Sequence, residues 1–467
     1  MQRRFIPLVL FAALTLTALG PVRSYDSFWH LATGRWIVEH RALPLTDPFS
    51  VASDRVPWIN GEWLFEVVLH GLETVGGLVA LSWFRAVVAA LIFTIAFLFA
   101  VRDDAEPAVA IALACAAFAA SMPTLTARPS AIAALLVPIA IVLARRERVV
   151  LYALLTILWI NVHPSALLAP VIWFTARAGA RAWRAVAVAT AVQTAALLVN
   201  PFGWNAIIAP LRLLSWVRSG EFVNVEWVAS TPLNSPLFFI LIAIGLIVFA
   251  TAADRHAHVS RIALFVILGA LAVEHVRNQG LFLAAYPLLV APAVRRERVR
   301  PALAYAAAAI VVAFVAITSE HSLGPQTSRF PIRSVARLKA TGLKGNVYNP
   351  DQFGGYLIWS FYPERRTLTD GRNELQHTFI AEYAHARLDE RAWRELLRKH
   401  QIVLAVDELR PPMPVRTGAT TRMMDASLAY WPRREWALIG YDEVSMVFAK
   451  RSAFPREVLQ RWELPSP

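Results

Sequence analysis

The 467-residue sequence has a single cysteine, Cys115, and it falls inside an apolar run. That excludes an intramolecular disulfide and any multi-cysteine metal site. Charge is also scarce. Only 17% of residues are Asp, Glu, Lys or Arg, against about 25% in a soluble domain. Acidic residues are the scarcer sign, 33 against 46 basic. The basic excess forms no single patch or stripe, which argues against nucleic acid as a partner. Short internal repeats are absent, and the only biased tracts are rich in Ala, Val and Leu.

In place of charge there are apolar runs. Hydrophobic residues make up 57% of the chain, and mean hydropathy is +0.48. The runs crowd the first two thirds, separated by short polar breaks, as in a helical membrane protein. The first extends from about Ile6 to Val22, after MQRRF. A basic start and an apolar core also describe a secretory signal, but the many later runs favour an uncleaved first helix. Further spans are expected near 79–101, 107–122, 130–144, 149–162, 165–176, 185–199, 235–253, 261–276, 279–294 and 302–318, about eleven in all.

Basic residues at the span ends orient this set by the positive-inside rule. Arg3 and Arg4, Arg102, Arg145, Arg146 and Arg148, Arg177, Arg181 and Arg184, Arg255 and Arg261, and Arg295, Arg296, Arg298 and Arg300 fall on one side. That side is assigned to the cytoplasm, with the N-terminus. The opposite side collects the unusual polar segments: the 24–60 loop, TARPS, NVHPS, the loop 200–227 and EHVRNQ. From about Ser319 charge becomes frequent and apolar runs shorten. KGNVYNPDQFGGYLIWSFYP reads as short strands around a Gly-Gly turn, AEYAHARLDERAWRELLRKH as a helix, and IVLAVDE and EVSMVFAKR as strands. The expected fold is therefore an α-helical polytopic membrane domain over 1–318, with a first outer loop at 23–62, and a small extracytoplasmic α/β domain over 319–467.

The candidate functional residues each have a plainer account beside the chemical one. Asp26 stands just past the first span, as a general base or as a helix-start carboxylate. His30 follows by four residues, so on a helix the two share a face and are spaced to share a proton, a divalent cation or a surface contact. Phe28, Trp29 and Trp36 give this stretch the make-up of an interfacial helix. Asp47 lies in an Asp-Pro turn, and Glu62 opens a second amphipathic stretch, where helix-entry charge explains it as well as catalysis does. Arg128 and Arg277 are suited to phosphate oxygens or to snorkelling into headgroups. Asn161 and His163, in WINVHPSAL, mark a helix break and read as substrate contacts or as satisfied packing groups. Asp370, Gly371 and Arg372 read as a ligand site or as a structural turn.

The segments DSFWHLATGRWIVEH, LPLTDPFS and WINGEWLFEV together resemble a group of bacterial multi-span proteins of the GT-C glycosyltransferase superfamily. WINVHPSALLAP, LVNPFGW, VNVEW and YNPDQFGGYLIWSFYPERRTLTDGRNEL resemble further landmarks of that group. The resemblance implies an enzyme of the bacterial inner membrane that takes sugar from a polyprenyl-phosphate carrier outside the cytoplasm. It gives Asp26 the role of catalytic carboxylate. The adjacent or Asp-x-Asp acidic pair common in GT-C enzymes is absent, since Ser27 follows Asp26. The expected substrate contacts are His30, Asp47, Glu62, Arg128, Asn161, His163 and Arg277. Two other functions fit the composition: a lipid or solute transporter, and a non-catalytic protein of cell-envelope assembly.

Overall fold

A computed structural model describes residues 5–177, 182–219, 226–295, 297, 299–410, 413–417, 420–424 and 430–465. Arg3, Arg4, Arg181, Arg296 and Arg298, used above to orient the chain, lie outside the described residues, as do positions 220–225 of the 200–227 loop. The chain divides into two compact units. One comprises Met1–Val22 and Gly61–Gly324, the other Arg23–Asn60 and Pro325–Pro467. The segment after the first helix therefore groups with the C-terminal residues, whereas the sequence pattern groups it with the apolar helices.

The first unit is helical throughout its described residues. Pro107–Ser121, Pro129–Arg145, Pro236–Ala250 and Pro301–Thr318 each begin on proline. Its missing N–H and fixed φ suit the first helical position. The helix Gln279–Val290 is buried at every residue except Gly280. Phe282 meets the rings of Phe238 and Phe265 edge-on at 5.5 and 5.2 Å. The Tyr286 hydroxyl donates to the Leu241 carbonyl at 2.7 Å, so the buried phenol is satisfied. Alanine carries much of the remaining core, which lets helix backbones approach closely.

Among the described residues, three helices are long and apolar enough to cross a membrane: Val79–Arg102, His256–Glu274 and Pro301–Thr318. Ile6–Ala18, Pro107–Ser121, Pro129–Arg145, Val149–Ile160, Pro164–Ala176 and Pro236–Ala250 are apolar but shorter. Several carry large exposed apolar side chains, among them Leu8, Leu154, Phe174, Ile247, Ile310 and Phe314. Such a surface is matched to hydrocarbon rather than to water.

The second unit is built around a mixed sheet. Its strands are β1 (Asn346–Tyr348), β2 (Ile402–Glu408), β5 (Trp436–Tyr441) and β6 (Ser445–Lys450), in the order β1-β2-β6-β5. A separate hairpin is formed by β3 (Met413–Thr417) and β4 (Thr420–Met424). β1 runs parallel to β2, and the other pairings in the sheet are antiparallel. IVLAVDE and EVSMVFAKR thus supply two central strands, as their apolar patterns predict. Beyond β1 the backbone continues the pairing. Leu368 N donates to Val347 O at 2.8 Å, and Val51 N donates to Thr367 O at 2.8 Å. These hydrogen bonds tie the 47–52 stretch to the sheet edge.

The Gly-Gly turn predicted in DQFGGYLIW is absent. Asp351–Phe361 is one helix, and both glycines lie inside it. They serve close packing. A Cβ at Gly355 would stand 2.5 Å from the Tyr25 carbonyl oxygen, and one at Gly354 would stand 2.6 Å from Asp370 Cα. Glycine costs a helix roughly 1 kcal/mol relative to alanine, and here it admits two backbones that a side chain would hold off. The interfacial helix expected over 26–40 is a helix, Asp26–His40, but Phe28, Trp29, Leu31, Ala32 and Ile37 are buried within its unit. Phe28 packs edge-on against Phe330 and Tyr356 at 4.8 and 4.9 Å.

Candidate functional site: a carboxylate over Gly371 and a basic patch

Asp26 is the first residue of the helix Asp26–His40 and is half-buried. A carboxylate there faces the positive end of the helix dipole. It stands directly over Gly371: a Cβ at 371 would lie 2.6 Å from Asp26 Oδ1 and 3.9 Å from Trp29 Nε1. Trp29, one turn further along the helix, is buried, and its indole nitrogen has no hydrogen-bond partner among the described residues. His30 is also buried, with its ring 3.6 Å from that of Trp29.

Gly371 is held in place by its neighbours. Arg372 Nε and Nη2 donate to the two oxygens of Asp370 at 2.8 and 2.7 Å, and Nη2 also reaches Asp47 Oδ1 at 2.9 Å. All three side chains are fully enclosed. Ser50 donates to Asp370, and Ser53 and the Phe49 N–H donate to Asp47. Trp58, Phe49 and Trp29 surround the guanidinium, with ring centres 4.7, 5.3 and 5.9 Å from Cζ. Burial alone pushes Asp370 upward, but Arg372 and the hydrogen bonds outweigh it and hold the carboxyl below its usual range. At Asp47 burial prevails and the pKa is raised. Asp47, expected among the substrate contacts, thus spends both oxygens on the fold, as does Asp370; Arg372 spends Nε and Nη2 there, and its buried Nη1 has no partner among the described residues.

The other expected contacts lie in the first unit, where several come together. Arg128, on the turn before Pro129–Arg145, pairs with Glu226. Arg277 stacks on Trp227, with Cζ 4.3 Å from the ring centre, and its backbone N–H donates to Glu226 O at 3.2 Å. Burial raises the Glu226 carboxyl, but Arg128 and then Arg277 more than offset this, and its pKa is lowered. His163 Nδ1 accepts from the Ser165 backbone at 3.0 Å, which places the neutral ring's proton on Nε2. Nε2 in turn lies 3.9 Å from Glu62 Oε1. Burial first, then Arg277 and Arg128, push His163 down to about 3. Arg128, Arg277, His163 and Glu62 therefore share one electrostatic neighbourhood. Glu226 and Trp227 belong to it as well; the sequence marks them as part of an unusual polar loop and of the VNVEW landmark, not as site residues.

Asn161 is a latch. It accepts from Trp63 Nε1 at 2.9 Å and donates to the carbonyls of Ile157 and Val199 at 2.8 and 2.9 Å. It also borders an apolar cleft of about 600 Å³ with Trp63, Leu154, Leu158 and Val199. No three His, Cys, Asp or Glu side chains among the described residues are grouped to hold a metal ion. Asp26 and His30 gain no third such ligand among the described residues.

No family model matches the chain, and no curated protein matches it by sequence. Solved structures do. The apo oligosaccharyltransferase of Archaeoglobus fulgidus superposes with a TM-score of 0.60 at 11% identity, over 88% of this chain and 70% of that one. The oligosaccharyltransferase AglB from Archaeoglobus fulgidus, in complex with an inhibitory peptide and a dolichol-phosphate, gives 0.56 at 10% identity, over 87% of this chain and 70% of that one. The mycobacterial arabinofuranosyltransferase AftD gives 0.51 at 14% identity, over 96% of this chain and 40% of that one. The chain shares its fold with these solved structures. The resemblance read from short motifs is accompanied by this likeness of backbone to an oligosaccharyltransferase and an arabinofuranosyltransferase, at identities where few residues can be equated.

Proposed function

We propose that the chain is a multi-pass membrane glycosyltransferase that takes its sugar from a polyprenyl-phosphate carrier. The fold shared with these transferases and the half-buried carboxylate at the start of Asp26–His40 support this reading. An acceptor hydroxyl gives its proton to Asp26, and its oxygen bonds to the anomeric carbon as the bond from that carbon to the phosphate oxygen breaks. Polyprenyl phosphate leaves with the electron pair. In the first unit, Arg128 and Arg277 are suited to a phosphate group by charge and by guanidinium geometry. Neutral His163 supplies an Nε2–H donor to the same patch. The chain lies in the bacterial inner membrane with about eleven spans, the N-terminus in the cytoplasm and the second unit outside.

The observation that carries the proposal is Asp26 over Gly371, a carboxylate placed by backbone rather than by a flexible side chain. The test is turnover by protein in nanodiscs with a panel of radiolabelled polyprenyl-phosphate sugars, with and without a divalent cation. Release of polyprenyl phosphate from one donor supports the reading. Folded protein that neither binds nor consumes any of them would shift the assignment to transport or envelope assembly.

A further inference from the structure

The apolar cleft of about 600 Å³ beside Asn161 lies wholly within the first unit. Leu154, Leu158 and Val199 line it, together with Trp63, Asn161 and Asn200. The two asparagines bring it no free donor. Asn161 gives its amide hydrogens to the carbonyls of Ile157 and Val199 and takes the Trp63 N–H on its oxygen. Asn200 gives its own to the carbonyls of Leu197 and Gly203 at 2.8 and 3.2 Å, and its oxygen accepts from the Phe202 N–H at 2.8 Å. Every side-chain N–H that lines the cleft is therefore committed to the fold. Leu154, Leu158 and Val199 are 57, 44 and 53% exposed, so the cleft opens sideways onto a surface matched to hydrocarbon.

The same two segments that wall the cleft also reach the basic patch. Glu62 precedes Trp63, and His163 is two residues beyond Asn161. The Leu64 N–H donates to the Asn161 carbonyl at 3.2 Å, and His163 Nε2 stands 3.9 Å from Glu62 Oε1. Arg277 and Arg128 act on His163 from nearby. A ligand suited to both places is a hydrocarbon chain with an anionic head.

We propose that the cleft seats the first isoprene units of the donor's polyprenyl chain, an inference that rests on the transferase reading above. At roughly 30 Å³ for a group the size of a water molecule, the cleft holds about twenty carbons, or about four isoprene units. The rest of the chain stays in the bilayer. A phospholipid fits less well. Its acyl chains begin at ester carbonyls, which need hydrogen-bond donors that the cleft has already spent. A polyprenyl chain is hydrocarbon from its first carbon. The competing solvent is also hydrocarbon, so shape rather than exclusion of water selects the chain. Asn161, which the sequence marks as a substrate contact, acts here by fixing the Trp63 ring in the cleft wall.

The experiment uses the full chain in nanodiscs and a polyprenyl phosphate carrying a photoreactive diazirine on its second isoprene unit. Irradiation is expected to label peptides containing Leu154, Leu158 or Val199. Excess unlabelled polyprenyl phosphate is expected to abolish the label, and an equal excess of phosphatidylglycerol to leave it in place. Leu158→Trp fills the cleft from a largely exposed position. It is expected to lose the label and to raise KM for a polyprenyl-phosphate sugar about five-fold, with kcat and melting temperature unchanged. Leu154→Trp serves should that variant not fold. Val150→Trp, at a position 72% exposed on the same helix and outside the cleft, is expected to match wild type in both. Labelling confined to other helices, or suppression by phosphatidylglycerol as complete as by polyprenyl phosphate, would overturn the chain assignment. So would a wild-type label and KM in folded Leu158→Trp, or an equal loss in Val150→Trp. Each of these leaves the transferase standing. Cleft labelling without turnover of any polyprenyl-phosphate sugar would instead keep the chain site and overturn the transferase.

Discussion

Arg372 Nη2 donates to Asp47 Oδ1 at 2.9 Å across 325 residues of sequence, with neither side chain exposed. The same nitrogen holds Asp370 Oδ2 at 2.7 Å. Removing the cation strands two enclosed carboxylates. Arg372→Met is therefore expected to destabilise the second unit by about 3–5 kcal/mol, read as a lower unfolding midpoint in detergent. A midpoint equal to wild type would show that the set contributes nothing to stability.

The glycine pair in Asp351–Phe361 makes a sharper test of packing. Gly354→Ala drives a methyl into the Thr369 carbonyl and Asp370, at an expected cost of about 1–3 kcal/mol. A Cβ at Gly61 meets nothing within 4 Å, so Gly61→Ala is expected to stay within about 0.5 kcal/mol of wild type. Thermal melts of the two variants give the comparison, and equal melting temperatures would refute the close-approach account.

His163 sets a pH dependence. Its folded pKa is pushed down to about 3 from an ordinary 6.5, so the unfolded chain binds the proton more readily between those values. The contribution to stability is full above about pH 6.5 and is lost as pH falls toward 3. His163→Gln is expected to flatten the fall in melting temperature over that window. A variant with the same slope as wild type would assign the slope to other groups.

Arg277 and Arg128 separate charge from shape. Arg277→Lys keeps the charge but forfeits the planar stacking on Trp227. It is expected to raise KM for a polyprenyl-phosphate sugar about three- to ten-fold. Arg128→Gln removes charge and the ion pair that Arg128 makes with Glu226, and a larger loss is expected. Wild-type donor KM in both variants would remove the patch from donor binding.

The apolar runs make the helices legible in the sequence, because burial in hydrocarbon or in a helical core needs the same long apolar stretch. Val79–Arg102 and Pro301–Thr318 fall within a residue of the expected spans. Asp26 is visible by position and by resemblance. The Asp47–Arg372 pair is not, since neither local pattern nor spacing signals a partner so distant in sequence. Gly354 and Gly355 look like a turn because local propensity records the cost of glycine in a helix, while the close approach that offsets it is a tertiary fact. The grouping of 23–60 with the C-terminal residues is hidden for the same reason: it rests on the backbone pairing of Val51 with Thr367. Glu226 has a signal in the VNVEW landmark, but nothing in the sequence joins it to Arg128.

The measurement that tests the account most directly is the single-turnover rate of sugar transfer by wild type and Asp26→Asn, with the donor that wild type consumes fastest. Loss of a general base predicts a fall of about 10²- to 10⁴-fold, with donor binding and melting temperature preserved. An Asp26→Asn protein that transfers sugar at the wild-type rate would contradict the assignment of this carboxylate to the chemistry.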